Sequence, residues 1–271
     1  MKVPSTSAKV IADSISTLGI RLTTLEVVMH RFVLAEFNTH RVFSRNSASS
    51  RAIPIEKRVK SVLQHCAYPV EWGANQPGMQ AEKQLARSDA EKAAGVWTQA
   101  SIAMASYALQ LAQLGVHKQL ANRLVEPFLW HTVVVTSTDW ENFFMQRCSP
   151  LAQPEIRCAA EAMREALSYS EPRHLSEEEW HLPYVQPEEY LTMDFADTKR
   201  LSVARCARVS YLTHDGRRDL VADYKLYDRL LCAEPPHASP FEHVARPLTD
   251  NDDVRHGNFR GWIQLRHEVG L

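Results

Sequence analysis

The sequence predicts a single α+β domain, and three observations carry that prediction. Residues 23–30 and Trp130–Ser137 are rich in β-branched side chains and read as strands. Residues 81–114 form the longest helical pattern, with apolar residues crowding one side. A chain of 271 residues with ordinary apolar content is long enough for one substantial core, and the acidic segment at 168–195 connects two sequence halves without dividing two domains.

The elements follow in order. Residues 1–22 lack the long apolar core of a signal peptide. After the first strand, Phe32, Val33, Leu34, Ala35 and Phe37 predict a short buried helix over 31–39 that feeds a polar loop. Pro54 permits a new helix with Ile55, Val59 and Val62 on its inner face. Residues 68–80 read as a structured connection, with the amides Asn75 and Gln76 retained as candidate site groups. The long helix is assigned to the core through Trp97, Ile102, Met104, Leu109, Leu111 and Leu114, and Gly115 is its expected C-cap. Thr138 and Glu141 read as a capping box opening a helix that ends near Arg147.

Pro154 suits the first turn of another helix, which places Gln153 and Arg157 four apart on one face near its N-terminus. That position favours an anion; an ordinary helix with a Glu155-led surface pair is the alternative. Residues 168–190 predict a solvated linker or short surface helix. A helix begun near Asp197 or Thr198 precedes a second one over 218–231, whose packed face is expected to carry Leu220, Tyr224, Tyr227 and Leu231. Residues 258–269 end the chain as an edge strand or docking helix.

Several function classes lack support. The net charge of −1 gives no nucleic-acid-binding surface. No GxGxxG or Walker A loop is present, and no run is long enough to span a bilayer. The five cysteines are odd in number and show no CxxC spacing, so reduced thiols in a cytoplasmic protein are expected. The histidines show no HExxH pattern, and Ser49 has no adjacent base. What remains is anion and heterocycle binding, with a cofactor carrying the difficult chemistry.

That theme concentrates in residues 36–54. His40, Arg41, Arg45 and Arg51 stand there among serines and asparagines, directly after an apolar run. Such arginines face either water or an anion, because burying an unpaired charge costs several kcal/mol. A solvated polar loop is the plain reading; a phosphate site, with hydroxyls to orient and guanidinium forks to neutralise, is the other.

The spacing resembles the signature of the flavin-dependent thymidylate synthases, Arg-His-Arg-x-x-Ser-x-Asn-Glu-x-Ser-x-Arg-Tyr. His40, Arg41, Ser44, Asn46, Ser49 and Arg51 match; Thr39, Ser47 and Ala52 depart, and Glu36 stands where Gln is usual. A second match runs from Arg147 through Ala152, Gln153, Glu155 and Ile156 to Arg157. A third joins Ala207-Arg208-Val209-Ser210-Tyr211 to His237-Ala238-Ser239-Pro240-Phe241-Glu242-His243. In the family this third match precedes the signature. The chain therefore resembles a circularly permuted, bacteriophage-type member.

The resemblance implies long helices packed on a mixed or antiparallel sheet, the thymidylate synthase complementing protein fold. It implies transfer of a one-carbon unit from 5,10-methylenetetrahydrofolate to C5 of dUMP, with FAD as cofactor and NADPH as reductant. It also implies a homotetramer with sites between subunits. Ser49, Ser50 and Arg51 would hold the dUMP phosphate and sugar, with Glu36, Ser47 and Gln153 as further substrate groups. Arg157 would stabilise the ionised N3 of the uracil. Thr39, His40, Arg41, Asn46, Arg147, Ser210 and Ser239 would contact FAD, with His237 near the flavin ring. Thr39 and Ser47 remove one cation and one carboxylate together, which hints at a coordinated rearrangement; the resemblance to bacteriophage-type members implies hydroxymethylation of a pyrimidine nucleotide as the nearest alternative. A non-catalytic flavin- or nucleotide-binding protein is the other.

Overall fold

The structure is a computed structural model that describes residues 5–209, 219–248 and 255–271. Strand β1 (Ser7–Ser16), which the sequence reading did not anticipate, pairs antiparallel with β2 (Arg21–His30). A 3-10 turn at Arg31–Val33 and the one-turn helix α1 (Leu34–Phe37) bring the chain to β3 (Ser44–Ser47). Helix α2 (Ile55–Gln64) starts directly after Pro54, as expected. Helix α3 (Arg87–Gln113) is the long one; it begins later than residue 81. Gly115 closes it at a φ of 82°, with the Val116 amide on the Leu111 carbonyl and the Gly115 amide on that of Ala112. A residue with a Cβ would be strained in that left-handed conformation.

Helix α4 (Lys118–Ala121) and a 3-10 turn at Asn122–Phe128 lead into β4 (Trp130–Ser137). Then come α5 (Glu141–Arg147), α6 (Pro154–Ser168) and β5 (Arg173–Leu175). The second half adds α7 (Pro187–Thr192), α8 (Phe195–Arg208) and α9 (Leu220–Leu231), with a 3-10 turn at Ser239–Glu242. It ends in β6 (Ala245–Pro247), β7 (Arg255–His256), β8 (Phe259–Arg260), β9 (Trp262–Gln264) and α10 (Leu265–Glu268). Among the described residues, no helix is long and apolar enough to cross a membrane.

The main sheet has the order β3-β4-β2-β1-β5. All its pairs are antiparallel except β1 with β5, so the sheet is mixed, in agreement with the implied fold. Alternation along the strands splits its two faces. Leu25, Val27 and Met29 of β2 and Val133 and Val135 of β4 point to one side, where Ile156, Ala159, Ala160 and Met163 of α6 cover them. Each large apolar side chain buried there contributes roughly 1.5–3 kcal/mol.

The opposite face carries a chain of polar groups. His181 sits between Ser14 (2.9 Å) and Thr24 (2.8 Å); Thr24 meets Thr136 at 2.7 Å, and Thr136 meets His243 at 2.7 Å. Burial pushes both imidazoles down to about 3. Their folded values therefore lie below the unfolded value of about 6.5. Their stabilisation is full above that value and is lost as pH falls toward 3, by about 1.4 kcal/mol per pH unit for each group. Accordingly, the urea midpoint is expected to fall on acidification from pH 7 to 4. In NMR spectra the two imidazoles are expected to show no titration above pH 5; a titration near pH 6.5 would contradict their burial.

Four expectations need correction. Thr138 does not cap α5: its hydroxyl donates to the Asp139 carboxylate at 2.7 Å and accepts the Arg260 amide at 3.2 Å. The N-cap is Trp140, without a side-chain bond. Residues 168–190 are no solvated linker, because β5 joins the sheet there and Trp180, His181 and Leu182 are buried. Helix α3 belongs to the core on part of its surface only: Ser101, Ala105 and Ala108 are buried and Trp97, Met104, Leu109 and Leu111 pack against the same cluster, while Ile102, Tyr107 and Leu114 are more than half exposed. It meets α2, α4 and the 122–128 turn along that packed side. On α9 the buried residues are Asp223, Leu226 and Leu230; Tyr227 and Leu231 of the expected face pack partly buried against the same cluster, and Leu220 is exposed. Arg218 lies outside the described residues.

Candidate functional site

The signature loop is built from its backbone upward. Arg45, on β3, donates to the carbonyls of Phe37 and His40 and so closes the turn after α1. Buried Ser44 accepts from Asn258 (3.1 Å) and Gln264 (2.9 Å). Asn46 faces the other half of the chain. Its amide nitrogen donates to the Cys206 carbonyl at 2.7 Å, and its oxygen accepts the Ser239 hydroxyl at 3.1 Å. One buried side chain thus joins the signature strand to both pieces of the third match.

Beyond β3 the chain turns, held by Asn122, whose amide nitrogen donates to the carbonyls of Ser50 (2.7 Å) and Ile53 (2.9 Å). The Ser50 hydroxyl points inward to Glu126 at 2.5 Å. Arg31 and Arg123 also bind Glu126, and its carboxyl lies below the ordinary value despite burial, held there by Ser50 and the two arginines. Arg51 is exposed and its guanidinium has no partner among the described residues.

Two cavities meet at this turn. One, of about 320 Å³, is lined by Arg31, Ser47, Ser49, Ser50, Arg51, Arg123 and His131. The other, of about 600 Å³, is lined by Asn46, Lys118, Ala207, Leu230, His237, Ser239 and Pro240, and shares Ser49 and Arg51 with the first. The small cavity is cationic and rich in donors, which suits a phosphate. The larger one mixes apolar walls with a few polar groups, which suits a ring system.

The other expected residues fall in two further places. Glu36, Thr39, His40 and Arg147 cluster: Arg147 Nε donates to His40 Nε2 at 2.9 Å and its Nη1 lies 3.6 Å from Glu36. Burial and the flanking Arg147 and Arg45 push His40 down to about 4, so it is neutral at pH 7 with its proton on Nδ1. Beside it, Thr39, His40 and Arg41 line a cavity of about 390 Å³ with Asp139, Arg255 and Arg260. Gln153 and Arg157 lie elsewhere, in a cavity of about 540 Å³ with Phe32, Glu71, Trp97 and Leu151. Arg157 pairs with Glu71 at 2.8 Å, and Gln153 donates to buried Glu155 at 2.9 Å, so Glu155 leads no surface pair. None of the signature residues lines that cavity. Asn75 and Gln76 do not line it either. Ser210 lies outside the described residues.

Sequence reasoning gave no site role to Arg31, Arg58, Lys118, Glu126, His131 and Asp139, and its placing of Arg58 with Lys57 and Lys60 on the outer side of α2 is corrected, since Arg58 is 3% exposed. Arg31 and His131 interrupt apolar stretches at their very start, which was the available signal.

Residues 15–173 match the family model described as thymidylate synthase complementing protein. No curated protein matches the chain. Among solved structures, the UMP/dUMP methylase PolB from Streptomyces cacaoi bound with 5-Br UMP is similar at 15% identity and a TM-score of 0.50, over 60% of this chain and 89% of that one. The flavin-dependent thymidylate synthase ThyX from Helicobacter pylori, complexed with FAD and dUMP, aligns at 17% identity and a TM-score of 0.38, over 54% of this chain and 67% of that one. The family model spans more than half of the residues and includes both the Arg/Ser signature and the Arg147–Arg157 segment, so the chain belongs to the thymidylate synthase complementing protein family, the flavin-dependent thymidylate synthases.

Proposed function

We propose that this protein transfers a one-carbon unit from methylenetetrahydrofolate to C5 of dUMP, with FAD as cofactor and NADPH as reductant. The observation that carries this reading is the pair of cavities sharing the Ser49–Arg51 wall, one cationic and one suited to a ring. Unpaired Arg51 and the unpartnered ring nitrogens of buried His131 fit an anion in the first. Asn46, His237 and Ser239 would face the flavin in the second. FAD, when bound, supplies the redox step.

The chain's own residues bind and orient. Ser49 and Arg51 hold the phosphate, whereas Ser50 acts through Glu126, since its hydroxyl is already bound there. Neutral His40 keeps its Nδ1 proton available beside Arg41, whose guanidinium has no partner among the described residues and suits the anionic part of the cofactor. Arg157 and Gln153 line a different cavity of the same chain, so their proposed contact with uracil requires a second subunit to bring that cavity to the nucleotide. A homotetramer with shared sites accommodates this. The Asn46 bridge from the signature to Cys206 and Ser239 supports reading the segment order as a circular permutation, because the third match completes the site from the far end of the chain.

The test is mass spectrometry of the nucleotide after incubating FAD-loaded protein with dUMP, methylenetetrahydrofolate and NADPH. A product heavier by one methyl group is expected. A hydroxymethyl product would replace the synthase by a hydroxymethylase. Unchanged dUMP with flavin retained would sink both in favour of binding alone.

A further inference from the structure

Behind the Arg/Ser turn, the fold gathers more positive charge than it neutralises. Arg58, on α2, is 3% exposed and makes no hydrogen bond or ion pair among the described residues. His131, at the start of β4, is 1% exposed; both its ring nitrogens lack a partner, and it lines the small cavity. Arg31 reaches Glu126 through Nη2 at 3.2 Å but leaves its buried Nε unpartnered. Glu126 is the carboxylate that faces this group, and it is already shared with Ser50 and Arg123. Three guanidiniums, those of Arg31, Arg51 and Arg123, therefore line the cavity, and Arg58 stands behind its wall, within electrostatic reach of Arg31 and of the shared Glu126 carboxylate.

Buried charges and ring nitrogens without partners are among the costliest arrangements a fold can keep. Packing does not call for them, because α2 is already anchored by Ile55, Val59 and Val62. The arrangement makes sense if the cavity's occupant brings the missing negative charge.

We propose that Arg31 and His131 in the cavity wall, with Arg58 buried behind them, are a specificity element for a doubly charged phosphate monoester. The phosphate adds the negative charge that the single Glu126 carboxylate, shared by Arg31, Arg123 and Ser50, leaves short around Arg31 and Arg58, and neutral His131 donates one N–H to a phosphate oxygen. None of the three belongs to residues 36–54, so the selectivity lies outside the signature. The identity of the monoester as dUMP rests on the function proposed above.

Burial and the charges of Arg31 and Arg58 hold His131 well below its ordinary value. Burial and Arg31 likewise bring Arg58 down to about 10, with Glu126 acting against them. Both shifts are in the direction that an added dianion would reverse.

The experiment compares the full-length, flavin-loaded protein with Arg58→Met and His131→Phe. Thermal melting is measured in inorganic phosphate and in chloride at equal ionic strength, and dUMP and deoxyuridine binding are measured by calorimetry. Phosphate is expected to raise the melting temperature of the unaltered protein and not of the variants. Their dUMP affinity should fall at least tenfold, with deoxyuridine binding unchanged. Without phosphate, Arg58→Met should melt no lower than the unaltered protein, which a merely structural arginine would not allow. If Arg58→Met does not fold, Arg31→Gln takes its place.

Variants that keep both the phosphate shift and the dUMP affinity would overturn the inference. The two readings separate cleanly. A phosphate shift lost in the variants, without any dUMP turnover in the unaltered protein, removes the proposed reaction and leaves the anion site standing. Normal turnover with undiminished affinity in the variants removes the specificity cluster and leaves the reaction.

Discussion

Asp223→Ala is expected to lower the free energy of unfolding by about 3–5 kcal/mol, the cost of stripping the partner from buried charges. Asp223 is 1% exposed, on α9. It accepts from Arg205 Nε at 3.0 Å and from Arg208 Nε at 2.7 Å, both on α8. Arg205 is itself buried and retains Glu189 through two bonds of 2.6 and 2.7 Å. Removing Asp223 therefore takes away the one described carboxylate on α9 that ties both Arg205 and Arg208 of α8 to it. The loss is a large part of the 5–15 kcal/mol that a domain usually commands.

The effect should reach the site as well. The C-terminal turn of α8 presents the Cys206 carbonyl to Asn46 and puts Ala207 in the wall of the larger cavity. Urea unfolding followed by fluorescence, with flavin retention measured on the same samples, checks both effects. A change below 1 kcal/mol would show that water, not Asp223, balances the two arginines.

Arg51→Gln should do the reverse, leaving stability alone and removing affinity. Arg51 is exposed and unpartnered, so its loss should change stability by no more than about 0.5 kcal/mol. It stands at the junction of the two cavities, where a charge-assisted bond to phosphate contributes about 1.5–3 kcal/mol. The dissociation constant for dUMP should rise roughly 10- to 150-fold. Calorimetric titration beside a thermal melt separates the two quantities. Unchanged dUMP binding would move the nucleotide out of these cavities.

Much of the sheet was legible because its strands obey local rules. Trp130–Ser137 is a continuous β-branched run, and the observed β4 has the same bounds. Strand β1 was not legible: Ser7–Ser16 contains serines, a lysine and an aspartate, and it is held by pairing with β2 and β5 more than by its own pattern. The same reason explains the misread acidic segment. Glu177 and Glu178 are exposed as their charge requires, yet Trp180, His181 and Leu182 directly after them are buried. Thr138 carried a correct local cap pattern, but Asp139 and Arg260 offered it stronger tertiary partners.

By itself, the sequence determined the family of this protein: the Arg/Ser signature, the Arg147–Arg157 spacing and the separate Ser-Pro-Phe-Glu-His segment are readable because each is short and its residue types suit anion and ring binding. Only the tertiary structure decided which of these groups share a cavity. Asn46 draws the signature to Cys206 and Ser239, far away in the chain, while Arg157 turns to Glu71 in another cavity. It also brought the half-buried Arg31 beside the buried Arg58 and His131, which no spacing in the chain connects. The physical reason is that partnership of charges and hydrogen bonds is a property of distance in space, and sequence spacing reports that distance only within one helix turn or one strand pair.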